Sequence, residues 1–198
     1  MKNKNIYIII IVLVIVIVIV LFLKQCQNNT IASYFEQNDE GWTVVGDAQE
    51  GSAKPNYEST SGNPGGYIWA DDNVTGGVWY WSAPKKFLGN RISSYNQKLT
   101  FSLKQSSVNN QFDSDDIILL SNDKKIVFNT SNNPDTSWTD YTVPLNEEVW
   151  KYSSSDKKSV SQKDFTEILS NLTGIHIRGE YVVGKDNGGI DNVVLFAK

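Results

Sequence analysis

An unbroken apolar run from residue 6 to residue 23 is the first pattern along the chain. As a helix it would span roughly 27 Å, close to the thickness of a bilayer core. A lone segment in lipid can satisfy its backbone groups only as a helix. The run is longer than the apolar region of a cleaved signal peptide, and no small-x-small motif follows it. We therefore predict an uncleaved transmembrane anchor at residues 6–23.

The lysines around this run predict its orientation. Lys2 and Lys4 precede it, and only Lys24 follows closely. The positive-inside rule makes residues 1–5 a cytoplasmic end and places the remainder outside the cell or in a lumen. The polar residues 24–33 form a predicted stalk. Its Cys26 lies beside the membrane, where it could carry an acyl chain, pair with a second chain or stay an idle thiol.

From residue 34 onward the pattern is typical of β-strands. Residues 98–104 alternate strictly, with Leu99, Phe101 and Leu103 on one face, which predicts a half-buried strand. Short apolar runs bounded by turn residues predict further strands at 42–46, 67–69, 78–83, 116–120, 126–128, 138–143, 175–178 and 190–196. Residues 122–123 predict the turn of a hairpin.

Residues 161–172 have helical periodicity instead. Ser161 is a suitable N-cap, Asp164 stands where a capping box needs an acid, and Gly174 supplies a stop. One face is apolar, formed by Phe165, Ile168, Leu169 and Leu172. The predicted fold class is all-β: residues 34–198 form a jelly-roll-like β-sandwich with one short amphipathic helix, preceded by the single N-terminal transmembrane helix.

The stretch at residues 78–89 combines consecutive aromatic residues with a proline corner. Trp79 and Trp81 share one strand face, while Val78 and Tyr80 share the other. The tryptophans could form an exposed platform for a ligand such as a sugar, or they could be core residues of a strand that turns at Pro84. Two apolar faces favour the core interpretation.

Charge and composition exclude several classes of function. The net charge is −4, and the chain beyond residue 26 has 15 basic and 22 acidic residues, which argues against a nucleic-acid partner. A single cysteine excludes an internal disulfide framework. A single histidine, His176, excludes a zinc site built from histidines. Its alternation with Ile175 and Ile177 predicts that it lies on a polar strand face.

Two blocks resemble a known family when taken together. Residues 79–89 read Trp-Tyr-Trp-Ser-Ala-Pro-Lys-Lys-Phe-Leu-Gly, and residues 177–181 read Ile-Arg-Gly-Glu-Tyr. With the closing residues 189–195 they resemble the laminin IV type A domain, also called the laminin B domain, over residues 34–197. The resemblance implies a jelly roll, an extracellular location and no catalysis. The chain lacks the cysteine-rich EGF-like repeats that surround this domain in laminins, so a role in matrix networks is less well supported.

These observations lead to three functional hypotheses. The first is a membrane-anchored, extracellular or luminal adhesion or recognition module without enzymatic activity, with a protein or glycan ligand. The second is a carbohydrate-binding, lectin-like jelly roll, and the third is a glycan-acting enzyme. A content rich in Ile, Lys and Asn also allows a viral source and a virion membrane. Candidate ligand-binding residues lie at the end of one predicted strand and in the loop that follows it: Trp69, Asp71, Asp72 and Asn73.

Two kinds of modification or ligand are also predicted. Glu36 near the start and Asp191 near the end would meet if the terminal strands are neighbours, and their carboxylates would suit a structural Ca²⁺. Alternatively, Glu36 is solvated and Asp191 caps a turn. Asn73, Asn129 and Asn171 lie in glycosylation sequons, which would make the protein a glycoprotein.

Overall fold

The computed structural model describes residues 30–47, 52–72 and 76–198. The predicted cytoplasmic end, the anchor, most of the stalk and Cys26 lie outside the described residues, as does Asn73. No helix within these ranges is long and apolar enough to cross a membrane.

Strands make up most of the regular structure in the described ranges. Numbered along the chain, they are β1 (Ile31–Ser33), β2 (Thr43–Gly46), β3 (Ser52–Ala53), β4 (Asn56–Glu58), β5 (Tyr67–Asp71), β6 (Trp79–Ser82), β7 (Lys98–Gln105), β8 (Ile117–Ser121), β9 (Lys124–Phe128), β10 (Thr139–Pro144), β11 (Lys151–Tyr152), β12 (Gly174–Arg178) and β13 (Asn187–Leu195). The alternating segment at 98–104 and the hairpin around residues 122–123 are confirmed as β7 and as the β8–β9 pair.

The strands form two antiparallel sheets that enclose one core. Sheet 1 has the order β10-β7-β13-β5-β4, with β1 also paired to β13, and sheet 2 has the order β11-β9-β8-β12-β6-β2-β3. The all-β sandwich predicted from the sequence is therefore confirmed. Strand β13 lies at the centre of sheet 1, between β7 on one side and β5 followed by β1 on the other.

The tryptophans of β6 are core residues. Trp79 is 1% exposed and Trp81 is fully buried, and their rings meet edge to face. The interpretation as an exposed platform is therefore wrong for this strand. After the strand, Pro84 leads into a 3₁₀ turn at Lys85–Phe87, whose Phe87 packs on Trp42 in the core.

One short helix, α1 (Gln162–Ser170), covers part of the core, as predicted. The Ser161 hydroxyl accepts a hydrogen bond from the backbone amide of Asp164 at 3.1 Å, which satisfies a free donor of the first turn. The helix ends at Ser170 with Asn171 as its C-cap, and Gly174, the predicted stop, is the first residue of β12.

The sandwich begins earlier than the sequence predicts. Strand β1 lies inside the predicted stalk and pairs with the last strand, so that Ile31 faces Leu195 and Ser33 faces Val193.

A clamp then fixes the chain after β1. The Glu40 carboxylate accepts hydrogen bonds from the amides of residues 34 and 35 and pairs with Lys86.

Gly179 allows the two sheets to approach closely. A Cβ at this position would lie 1.8 Å from the Trp79 ring, and one at Gly188 of β13 would lie 3.0 Å from the same ring. The indole of a sheet 2 residue therefore packs against backbone from both sheets. This contact explains why a glycine follows Arg178 at the end of β12.

The variant Gly179→Ala tests this packing. We expect a loss of about 3 kcal/mol of unfolding free energy, because a methyl group cannot fit unless the ring or the backbone moves. Urea unfolding of the variant measures this loss. Gly184→Ala is the control, since this glycine has open space and should lose only the roughly 1 kcal/mol of its positive φ. Equal losses in the two variants would contradict the packing argument.

Candidate functional site

Asp191 lies at a bulge in the central strand of sheet 1. The pairing of β13 with β7 shifts register between Asp191 and Val194, and Asn192 has a φ of 53°. Asp191 is fully buried, and its carboxylate accepts hydrogen bonds from the amides of Asn63 at 2.6 Å and Asn192 at 2.7 Å. The loop of residues 59–66 covers it.

The terminal strands are neighbours, as the calcium hypothesis requires, but Glu36 is not in the first strand. It lies three residues beyond the end of β1, on an exposed segment. Its carboxylate still approaches the same loop, 3.4 Å from the point where a Cβ of Gly65 would stand.

Oxygen atoms gather around Gly62 in this loop. The carbonyl oxygens of Gly65 and Gly66 and the Asp191 carboxylate all lie within 2.8 Å of the point where a Cβ of Gly62 would stand. Burial raises the pKa of Asp191 to about 6, and the nearby Glu36 charge adds to the rise, while the amides of Asn63 and Asn192 oppose it. A cation here would relieve both the burial cost and the repulsion.

The oxygen ligands that this loop and its neighbours could offer are therefore the Asp191 carboxylate, backbone carbonyls and the Glu36 carboxylate near Gly65. In the described ranges, no group of three or more His, Cys, Asp or Glu side chains is arranged to hold a metal ion. Hard oxygen ligands of this mixed kind fit Ca²⁺ better than any transition metal.

The outer face of sheet 1 carries an aromatic patch, which we define as Tyr67, Trp69, Lys104 and Trp138. The Lys104 ammonium lies 3.8 Å from the Tyr67 ring centre and 4.6 Å from that of Trp138, and the two rings meet edge to face. Strand register sets Trp69 and Lys104 on either side of Gly189, which has no side chain to separate them. All four side chains are half-buried.

The predicted ligand-binding loop is only partly a loop. Trp69 lies in β5, within the strand predicted at 67–69, and Asp71 also belongs to β5 rather than to the following turn; both are on the outer face of sheet 1. The Asp71 carboxylate accepts a hydrogen bond from the Asn187 amide at 3.1 Å. Asp72 follows the strand and donates its backbone N–H to the Asp186 carbonyl at 3.1 Å. Sequence reasoning missed the contribution of Trp138, which comes from a distant part of the chain.

A polar cavity of about 370 Å³ lies beside the buried Arg178. The Arg178 guanidinium donates hydrogen bonds to the Asp116 carboxylate at 3.3 Å and to the Phe112 carbonyl at 2.6 Å. It also stacks against the Phe112 and Tyr181 rings. Asp116 also accepts two hydrogen bonds from Thr130. Arg178 therefore has a structural role, because its contacts join loops at the end of sheet 2.

The remaining candidates lie apart from these clusters. His176 is half-buried beside the Tyr80 ring, and burial lowers its pKa, with a smaller contribution from the Lys125 charge. Asn129 and Asn171 are both exposed. Asn129 lies beyond β9, and Asn171 caps the end of α1.

The fold is a two-sheet β-sandwich that carries an aromatic patch on the outer face of sheet 1. Comparison with known proteins identifies the family of this sandwich. Residues 80–197 match the family model for laminin B (domain IV). The chain therefore belongs to the laminin B family.

Individual relatives agree with this assignment. The chain is 28% identical to laminin subunit gamma-1 of Xenopus tropicalis over 167 residues, which are 77% of this chain and 9% of that protein. It thus spans less than a tenth of the length of that relative. The L4b domain of human laminin alpha-2 superposes with a TM-score of 0.69 at 18% identity, covering 85% of this chain and 96% of that one.

A second kind of neighbour shares the fold. The family 11 carbohydrate-binding module from Clostridium thermocellum, solved with a β-1,3-1,4-mixed-linked tetrasaccharide, superposes with a TM-score of 0.55 at 17% identity. The alignment covers 85% of this chain and 95% of that one.

Proposed function

We propose that the protein is a non-enzymatic adhesion or recognition module, displayed outside the cell or in a lumen on a membrane anchor. Membership of the laminin B family supports the adhesion role. The apolar run at residues 6–23 supports the anchor, and the lysines around it support the orientation. Residues 1–5 are then the cytoplasmic end, and the jelly-roll domain follows a stalk that ends before β1.

The outer face of sheet 1 is the proposed binding surface, and the aromatic patch is the observation that carries this choice. Half-buried aromatic side chains around one lysine can supply a large contact area at a low cost in side-chain entropy. Acceptors stand on the same face, among them Asp71 and Asp140. A protein ligand with an apolar anchor and donor groups would fit this surface.

Carbohydrate binding at the same face is the second candidate. Sugar rings stack on aromatic side chains, and the carboxylates and amides around the patch could bind hydroxyl groups. The shared fold with a carbohydrate-binding module solved with its tetrasaccharide supports this alternative, although the fold alone assigns no ligand. A glycan-acting enzyme ranks below both, because glycosidase chemistry needs two carboxyl groups placed across a cleft.

We also propose a structural Ca²⁺ at Glu36 and Asp191. The oxygens that gather around Gly62 support it, because they stand next to a buried carboxylate and a second negative charge. The ion would join the chain after β1 to the bulge of β13. Glycosylation at Asn129 and Asn171 is compatible with their exposure.

Alanine variants of the aromatic patch test the binding surface. With the full chain in detergent on arrays of matrix proteins and glycans, we expect Trp69→Ala and Trp138→Ala to weaken binding at least about tenfold, or ~1.4 kcal/mol. Tyr34→Ala is the matched control, since this aromatic is 48% exposed and forms no ring contact with the patch among the described residues. Binding to one glycan class that the patch variants abolish would favour the lectin. Unchanged binding in both patch variants would contradict the surface.

Calcium should raise the melting temperature at about pH 7.5 relative to chelator, and the gain should shrink near pH 5. The reason is that a folded-state pKa raised to about 6 makes the ion-free protein lose stability as pH rises from ~4 through ~6. Asp191→Asn should remove the part of the calcium-induced rise in melting temperature that this site supplies. The control variant Asp123→Asn, on an exposed turn, should retain that rise. An identical melting temperature with calcium and with chelator would contradict the site.

Protease accessibility tests the proposed topology. Protease added to intact cells or particles should digest residues 34–198 and leave the anchored N-terminal fragment. The same treatment after permeabilisation is the control for intrinsic cleavage. Full protection while the membrane is sealed would reverse the proposed orientation.

A further inference from the structure

Acidic residues lie on neighbouring segments at one end of the sandwich, away from the Asp191 bulge. Glu180 follows β12, Asp186 precedes β13, and Asp72 follows β5. Backbone hydrogen bonds bring these segments together. The Asp72 amide donates to the Asp186 carbonyl at 3.1 Å, and the Trp79 amide donates to the Glu180 carboxylate at 3.2 Å. Asp47 stands beside the same strand ends, with its amide bonded to the Val78 carbonyl.

Asp186 is the exceptional member of this group. Only 4% of the residue is exposed, and neither carboxylate oxygen has a hydrogen-bond partner of normal geometry in the described ranges. Glu180 is 6% exposed. Neither side chain forms an ion pair with a lysine or arginine in the part of the chain that the structure describes. Buried carboxylates without a countercharge are costly, and such a group calls for a proton or a cation.

Burial and the neighbouring charges both act on the pKa values of these two carboxyl groups. Burial raises the pKa of Glu180 to about 7, and the charges of Asp72, Asp186 and Asp47 add to the rise, while the Trp79 amide opposes it. Burial raises the pKa of Asp186 to about 6, with contributions from Asp72 and Asp71. The backbone amides of Val182 and Tyr181 oppose that rise, although neither forms a hydrogen bond of normal geometry with the carboxylate.

We propose that Glu180 and Asp186 bind a calcium ion that closes the acidic end of the sandwich. The unpartnered oxygens of Asp186 supply the first ligands and Glu180 a further one, while backbone carbonyls and water complete the shell. Two side-chain ligands are consistent with the absence, in the described ranges, of any three-residue metal cluster. This site is separate from the one at Glu36 and Asp191.

The donor chemistry selects calcium among common cations. The cluster offers only oxygen ligands, which suit hard ions and exclude zinc-type sites. The ligands come from segments that follow or precede strands, and such a loop-based arrangement tolerates the irregular, high-coordination shell of Ca²⁺ better than the strict octahedron of Mg²⁺.

Terbium luminescence on the full chain in detergent tests the site, because Tb³⁺ replaces Ca²⁺ and is excited by nearby tryptophan. Trp79 stands next to Glu180, so a bound ion should give a saturable signal that added Ca²⁺ removes. We expect Asp186→Asn and Glu180→Gln each to weaken the apparent affinity at least about tenfold. Asp123→Asn, on the exposed β8–β9 turn, is the control, and Asp191→Asn should leave this signal in place.

Three results would overturn the site. The first is a native protein that gives no calcium-sensitive signal, and the second is an affinity that Asp186→Asn and Glu180→Gln leave unchanged. The third is a signal that disappears in Asp191→Asn but persists in Asp186→Asn, since it would place the only ion at the other site. Thermal melts of each variant check folding, and if Asp186→Asn does not fold, Glu180→Gln decides the question.

Discussion

The contact between the Trp79 ring and the backbone at Gly179 and Gly188 sets the distance between the two sheets. Trp79 belongs to β6 of sheet 2, while Gly188 belongs to β13 at the centre of sheet 1. A side chain at either glycine would push the layers apart and disturb close packing of the core. The same contact also holds the segment of Glu180 next to the segment of Asp186. The core packing therefore helps to assemble the acidic end of the sandwich.

The two faces of sheet 1 have different roles. Its inner face carries alternating apolar residues such as Leu99 and Leu103, which fill the sandwich. Its outer face carries the aromatic patch, with the Lys104 side chain lying across Gly189 onto Tyr67. Because the inner face fills the core, residues of the outer face can change without loss of the sandwich packing.

Local patterns predicted the elements well. The alternation of apolar and polar residues predicted β7, and the N-cap at Ser161 predicted the start of α1. The alternation of side chains along β6 predicted that Trp79 and Trp81 lie in the core. What local patterns could not predict were the partners that tertiary packing brings from far along the chain. Trp138 joins Tyr67 across 71 positions of sequence, and the buried state of Asp186 depends on pairing between β13 and β5. Short strands such as β1 and β3 have too few residues to show a period.

The order of elements at the start of the domain has a mechanical meaning. A pull on the chain from the side of residue 30 meets β1 first, whose three residue pairs tie the start of the domain to β13. Behind them stands the clamp of Glu40 with Lys86, which itself donates to the Ala32 carbonyl. Load applied through a tether would therefore reach the central strand of sheet 1 directly.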